Sequence, residues 1–128
     1  MIFHHVGCVV ADIKTTIATY RPFALHVGEV VSIASQGVNV CFVEIAPGQH
    51  VELVEPNTET SIVSGLLRRR TSYYHLGFKV VQFDQAVDTL TESGYRHLDT
   101  FYSEAFEMRR CAFLASPVGH LIELIEQA

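Results

Sequence analysis

The sequence predicts an α+β fold in which paired βαβββ modules form a curved mixed sheet around a cleft. Two internal repeats indicate this fold. Residues 73–78 (YYHLGF) repeat the character of residues 3–8 (FHHVGC), 70 positions later in the chain. Residues 113–124 echo residues 42–53 at a separation of 71, with a glycine and a glutamate at matched places. Repeats in the same order and at nearly constant spacing are typical of internal duplication.

The first module is predicted over residues 1–57. Asp12 is a suitable N-cap for a short helix, and Pro22 marks the end of that helix. Turn signals at Gln36-Gly37 and Pro47-Gly48 separate the strands that follow. The predicted elements are a strand over 2–10, a helix from 12 to about 20, and strands over 25–34, 38–46 and 50–55.

A helical connector is predicted over residues 58–70, and the second module over 71–128. In the connector a helix over 60–70 would place Ile62, Leu66 and Leu67 on one apolar stripe. The second module repeats the order of the first, with Gly94 ending its helix. Its predicted elements are a strand over 73–78, a helix over 84–93, and strands over 95–102, 108–115 and 120–125.

Composition limits the class of protein. With 128 residues and 48% hydrophobic content, the chain is long enough for a single domain with a real core. The net charge of -5 offers no basic face for nucleic acid. No stretch approaches the roughly 20 apolar residues of a membrane span. Three widely spaced cysteines and the absence of a signal peptide lead us to expect a cytoplasmic protein and no membrane partner.

Four side chains form the candidate site. His5 and His75 lie at equivalent places in the first strand of each module, and Glu52 and Glu123 at equivalent places in the last. A carboxylate on an apolar strand face is costly unless it is paired or holds a cation. If the modules pair about a pseudo-two-fold axis, the four side chains can converge. Two imidazoles and two carboxylates suit Co²⁺, Ni²⁺, Mn²⁺, Fe²⁺ or Zn²⁺.

Ordinary structural roles stay open for these four residues and for other polar and aromatic residues. A single strand histidine or glutamate is most often an ordinary core or surface residue, and duplication alone could preserve the pattern without a metal. Strand alternation places His4 on the face opposite His5, which predicts a structural or solvent-facing role. His50 is expected at the rim of the cleft. The aromatic side chains that could line the cleft are Phe101, Tyr102 and Phe106.

The motifs around these residues resemble a known family. Residues 3–7, 74–77 and 121–124 are similar to the vicinal oxygen chelate superfamily, which includes glyoxalase I, methylmalonyl-CoA epimerase, extradiol dioxygenases and bleomycin-resistance proteins. Residues 36–43 and 51–56 most resemble the epimerase branch. The resemblance implies that His5, Glu52, His75 and Glu123 bind a divalent metal, and that the chain is a homodimer. Residues 102–108 depart from it, being bulky and acidic where epimerases usually carry a glycine-containing loop, which argues against coenzyme A.

These observations predict a metal-dependent lyase or isomerase that acts on a small molecule by proton abstraction next to a carbonyl. The activity would be similar to that of methylmalonyl-CoA epimerase or glyoxalase I. Glu52 or Glu123 would serve as the general base and acid. A metal-free, drug-sequestering binding protein is the alternative, with aromatic residues stacking on a flat ligand. A dioxygenase is a further alternative, although it would need only two histidines and one carboxylate.

Overall fold

The computed structural model describes residues 1–127, which form one mixed sheet of nine strands, three α-helices and two short 3₁₀ turns. The strands are β1 (Ile2–Val9), β2 (His26–Val27), β3 (Val31–Ile33), β4 (Val38–Ala46), β5 (Gln49–Pro56), β6 (Tyr73–Val80), β7 (Arg96–Ser103), β8 (Arg109–Ala115) and β9 (Leu121–Glu126). The helices are α1 (Ile13–Tyr20), α2 (Ser64–Arg68) and α3 (Phe83–Glu92), and the 3₁₀ turns are Ala34–Gln36 and Glu104–Phe106.

The sheet has the order β2-β4-β5-β1-β6-β9-β8-β7, with β3 paired to β4. Each half repeats one pattern, because β1 runs parallel to β5 and β6 runs parallel to β9. The halves join where β1 and β6 pair antiparallel at the centre of the sheet. The first and last strands of both halves therefore lie side by side as β5-β1-β6-β9.

The two faces of the sheet bury different sets of side chains. On the outer face, α1 packs Ile13 and Ile17 against the first half, and α3 packs Phe83 against the second. On the inner face, one core cluster joins Val40 of β4 to Phe101 of β7, although five strands separate these two in the sheet order. The sheet must curve to bring them together, as the sequence predicts.

Two hydrogen bonds close the curved sheet across its inner face. The Gln36 side-chain nitrogen donates to Asp99 Oδ2 over 3.1 Å. The backbone N–H of Ala34 donates to Glu104 Oε2 over 3.0 Å. Both bonds join the first half of the chain to the second, so the inner face is a partly closed trough.

Two predicted elements are shorter than expected. The strand predicted over 25–34 is interrupted between β2 and β3, where Gly28 donates a single bond from its N–H to Phe42 O. The helix predicted over 60–70 contains only Ser64–Arg68, and Ile62 is 65% exposed whereas Val63 is buried. The Ser61 hydroxyl donates to Gln36 O and the Ser64 hydroxyl donates to Thr58 O, each over 3.1 Å, and the residues before Ser64 form turns instead of helix.

The remaining features concern the helices and the cysteines. Among residues 1–127, no helix has the length and apolar character that crossing a membrane would require. Cys8, Cys41 and Cys111 are all buried and free of disulfide bonds, as small core residues.

Candidate metal centre

The four candidate ligands come from the four central strands of the sheet. His5 lies on β1, Glu52 on β5, His75 on β6 and Glu123 on β9. His5 is 0% exposed and the other three are each 4% exposed. Side chains two positions apart on a strand share a face, and the matched positions in the two halves place all four on the inner face. The structure therefore brings the four residues together in the interior.

Two glycines make room for the imidazole rings. A Cβ atom on Gly7 would lie 2.0 Å from His75 Cε1, and a Cβ on Gly77 would lie 2.0 Å from His5 Cε1. Each glycine follows its own histidine by two residues and is paired across the β1–β6 junction with the other histidine. A glycine inside a strand often marks such a close approach. Neither glycine is among the site residues predicted from the sequence, although the repeated His-x-Gly spacing is the signal that could identify both.

The donor atoms surround a common point. His5 Nε2 lies 2.9 Å from His75 Nε2, 3.4 Å from Glu52 Oε1 and 3.1 Å from Glu123 Oε1. His75 Nε2 lies 3.3 Å from Glu52 Oε1 and 3.4 Å from Glu123 Oε1. Neighbouring donors in an octahedral shell with bonds of about 2.1 Å lie about 3.0 Å apart. These separations fit a shared divalent cation.

Hydrogen bonding within the cluster is incomplete. Glu123 Oε1 is buried and has no hydrogen-bond partner among residues 1–127, although two imidazole nitrogens lie within 3.4 Å. A buried carboxylate oxygen without a donor is costly. A cation at the centre would satisfy this oxygen and both Nε2 lone pairs together. The donor set and its geometry therefore fit a metal better than a hydrogen-bonded network.

The imidazoles and carboxylates of the cluster shift one another's pKa values. Burial by itself would lower the pKa of His75, but the carboxylates of Glu123 and Glu52 outweigh it and raise the pKa to about 9. Burial would raise the pKa of Glu123, but His5 and His75 outweigh it and lower the pKa to about 2. Without a metal, the cluster therefore holds a proton near neutral pH that a cation would have to displace.

His4 contacts the cluster, contrary to the sequence prediction. The pairing of β1 with β6 is irregular between Phe3 and His5, so strand alternation fails there. His4 Nδ1 lies 2.9 Å from His5 Nδ1. Burial, followed by the charges of His5, His50 and Lys79, lowers the pKa of His4 to about 3, so its ring is neutral. A neutral His4 can accept the Nδ1–H of His5 and leave His5 Nε2 free as a metal ligand.

A small apolar void lies beside the carboxylates. Its volume is about 20 Å³, which is room for about one water-sized group. Glu52, Glu123 and Tyr74 line it together with aliphatic and aromatic core residues, and with the exposed Ile62 and the buried Val63 of the connector. This end of the trough therefore has little free volume beside the carboxylates.

The three aromatic residues predicted to line the cleft have different environments. Phe101 is buried and lines the small void. Phe106 lies at the other end, where its ring centroid is 6.3 Å from that of His5. Tyr102 is 58% exposed and does not line the void, because it alternates with Phe101 along β7. His50 stacks on His4 with ring centroids 4.5 Å apart, at the edge of the site.

Comparison with known proteins gives a family match and similar structures. The sequence profile described as the Glyoxalase/Bleomycin resistance protein/Dioxygenase superfamily matches residues 4–113. No curated protein sequence matches the chain.

Methylmalonyl-CoA epimerases are among the similar solved structures. The Mycobacterium tuberculosis enzyme has a TM-score of 0.86 at 24% identity, covering 98% of this chain and 87% of that one. A variant of the Streptomyces coelicolor enzyme, solved in complex with 2-nitronate-propionyl-CoA, has a TM-score of 0.83 at 24% identity, covering 100% and 98%. A hypothetical protein from Bacillus halodurans C-125 has a TM-score of 0.81 at 25% identity, covering 98% and 94%.

Proposed function

The chain belongs to the Glyoxalase/Bleomycin resistance protein/Dioxygenase superfamily, and we propose that it is a metal-dependent isomerase or lyase that removes a proton next to a carbonyl. The buried cluster of His5, Glu52, His75 and Glu123 carries this proposal. Four protein ligands leave two positions of an octahedral shell for substrate oxygens. The likeness to methylmalonyl-CoA epimerases favours epimerase chemistry over a glyoxalase I-like reaction.

Each part of the cluster has a place in this reaction. A divalent cation bound there would polarise the substrate carbonyl and stabilise the negative charge that develops on its oxygen. Glu52 and Glu123 both border the small void, so a carboxylate oxygen of either residue can take the proton from the α-carbon and return it. The apolar walls around them exclude water and strengthen these electrostatic interactions.

The alternatives have less support. A dioxygenase site needs one carboxylate and more open positions, whereas two carboxylates converge here. A drug-sequestering protein would hold its ligand without a metal, whereas the four converging donors here suit a divalent cation. A drug-sequestering protein should take up no metal and catalyse no α-proton exchange. A dioxygenase should take up metal but catalyse no α-proton exchange.

The test measures metal content and α-proton exchange on the same preparations. The protein is stripped, loaded with Co²⁺ and incubated in D₂O with acyl thioesters and with hemithioacetals, and exchange is followed by NMR. Glu123→Ala should lose both bound metal and exchange, whereas Glu92→Ala, an exposed control on α3, should keep both. A Glu123→Ala protein with full metal content and an unchanged exchange rate would refute the assignment.

The proposal also covers the domain organisation, the cellular location and the oligomeric state of the chain. We infer that residues 1–57 and 71–128 are duplicated modules of a single domain, joined by residues 58–70. One core cluster contains both Val40 of the first module and Phe101 of the second, so the two modules share a core. Separately expressed halves should then fail to fold alone.

A cytoplasmic location and assembly as a homodimer stay predictions, which fractionation and analytical ultracentrifugation can test.

A further inference from the structure

We propose that Gln36 is a specificity-determining residue, whose side-chain oxygen accepts a hydrogen bond from a hydroxyl group on the carbon that loses its proton. The hydroxyl would occupy the small void beside the carboxylates, in preference to a methyl group of similar size. This inference rests on the proposed function, since it assigns a further residue to the same reaction.

The amide group of Gln36 is held in one orientation. Gln36 ends the 3₁₀ turn Ala34–Gln36, where the Ser61 hydroxyl donates to its backbone oxygen over 3.1 Å. Its side-chain nitrogen donates to Asp99 Oδ2 over 3.1 Å. An ionised carboxylate accepts hydrogen bonds and donates none, so the amide nitrogen must face Asp99 and the amide oxygen must face away from it. The bond to Asp99 therefore determines which atom of the amide is left to bind a ligand.

The amide oxygen of Gln36 is a buried acceptor without a donor. Gln36 is 8% exposed and lines the small void, and its Oε1 atom has no hydrogen-bond partner among residues 1–127. A buried acceptor left unpaired is costly, and one that borders a cavity is satisfied when a ligand supplies the donor. Gln36 lies outside the four-residue cluster, so the proposed metal does not account for this oxygen.

The size and lining of the void favour a hydroxyl group. A volume of about 20 Å³ admits about one heavy atom. Aliphatic and aromatic side chains supply most of the lining, and its polar residues are Gln36, Glu52, Tyr74 and Glu123. A hydroxyl can donate to the amide oxygen and can accept from a phenol such as that of Tyr74. A methyl group would fit but would leave the amide oxygen unpaired, and an ammonium group would be repelled by a divalent cation in the cluster.

The void lies where a substituent of the reacting carbon would be placed. Glu52 and Glu123 are the two candidate bases, and both border the void. A carbon that gives its proton to either carboxylate must approach a carboxylate oxygen to within about 3–3.5 Å. A substituent one atom long on that carbon then reaches the void. The group beside the carbonyl is therefore the part of the substrate that Gln36 can recognise.

Binding of two matched neutral ketones tests this proposal without turnover. Hydroxyacetone and butan-2-one differ only in the hydroxyl or methyl group on the carbon beside the carbonyl. Each is titrated into Zn²⁺-loaded protein, and NMR follows the side-chain amide signals of Gln36. The parent should bind hydroxyacetone at least tenfold more tightly, with a shift of these signals, because butan-2-one leaves the amide oxygen unpaired. Equal affinities would mean that the void takes water and not a substrate group, and would overturn the proposal.

Three variants show whether Gln36 causes the preference. Gln36→Met keeps the length of the side chain but removes the acceptor, so it should bind both ketones equally. Asp99→Ala changes an exposed residue and frees the amide, so it should weaken the preference even if Gln36→Met fails to fold. Gln85→Met, at an exposed position on α3, is the matched control and should bind as the parent does. A full preference in Gln36→Met or in Asp99→Ala would overturn the proposal, because chelation of the metal by hydroxyacetone would then explain it.

A second comparison extends the test to the proposed reaction. Exchange of the α-proton in D₂O is measured on Co²⁺-loaded protein with the N-acetylcysteamine thioesters of lactate and isobutyrate, which again differ in a hydroxyl or a methyl group. The kcat/KM should favour the lactate thioester, and Gln36→Met should reduce the ratio of the two values at least tenfold. An unchanged ratio would overturn the proposal. If the ketone titrations succeed and neither thioester exchanges, the role of Gln36 in binding stands and the proposed reaction fails.

Discussion

The ring of His75 occupies the space that a side chain on Gly7 would need, since a Cβ there would lie 2.0 Å from His75 Cε1. The same relationship holds between His5 and Gly77. The two imidazoles thus cross the β1–β6 junction, and each covers the glycine of the opposite strand. This reciprocal packing allows the Nε2 atoms of His5 and His75 to approach within 2.9 Å. The His-x-Gly repeat is therefore a geometric requirement of the centre.

Gly7→Ala and Gly77→Ala should each displace the opposite imidazole. The new methyl group overlaps a buried ring that is held on all sides, and overpacking of this kind costs about 1–3 kcal/mol. We expect a lower free energy of unfolding together with loss of Co²⁺ binding. Gly65→Ala is the matched control, because its nearest neighbours are flexible arginine side chains and it lies in a helix. Normal Co²⁺ affinity in Gly7→Ala would contradict this interpretation.

His4→Ala should weaken metal binding while leaving all four ligands in place. Without His4, the Nδ1–H of His5 loses its acceptor, and the loss of such a partner typically costs about 10- to 100-fold in metal affinity. Competition with a chromophoric chelator measures the affinity. His26→Ala, an exposed histidine on β2, is the control. An affinity equal to that of the parent would show that His4 does not orient His5.

Metal affinity should increase with pH up to about 9. The carboxylates hold His75 protonated below its pKa of about 9, so a cation must displace that proton. Binding should then release about one proton, and affinity should rise about tenfold per pH unit between pH 7 and 9. Calorimetry in two buffers of different ionisation enthalpy counts the protons. Release of none at pH 7 would contradict the charge state inferred for the cluster.

The stability of the metal-free protein should depend on pH in the opposite sense. The pKa of His75 is raised above its usual 6.5, so its contribution is complete below pH 6.5 and is lost as pH rises through about 9. The pKa of Glu123 is lowered from 4.5, so its contribution is complete above pH 4.5 and is lost as pH falls through about 2. Urea unfolding at pH 5.5 and pH 9.5 should give the lower free energy of unfolding at pH 9.5. The opposite order would contradict this prediction.

Some features could be predicted from the sequence because they depend on the alternation of side chains along a strand and on the internal repeat. Alternation along a strand places His5 and Gly7, or Leu121 and Glu123, on one face of the sheet. The repeat at a separation of 70 to 71 then places matched residues in matched strands. The fold class followed from these two regularities, as did the identity of the four side chains that converge.

Other features depend on contacts that neither strand alternation nor the internal repeat encodes. The irregular pairing between Phe3 and His5 turns His4 toward the cluster, and nothing in the alternation of β1 indicates it. The helix expected over 60–70 loses its first turn to bonds made by Ser61 and Ser64. That Lys79 and Arg109 line one cavity required knowledge of how β6 and β8 meet β9, because the two residues are 30 positions apart in sequence.

Metal content tests the central claim most directly. The stripped protein, its His5→Ala and Glu123→Ala variants and the Glu92→Ala control are each loaded with Co²⁺, desalted and measured by mass spectrometry and visible absorption. We predict about one Co²⁺ per chain in the parent and the control, as expected for one shared centre, and loss in both ligand variants. No uptake by the parent, or equal uptake by all four proteins, would contradict a metal centre at these residues.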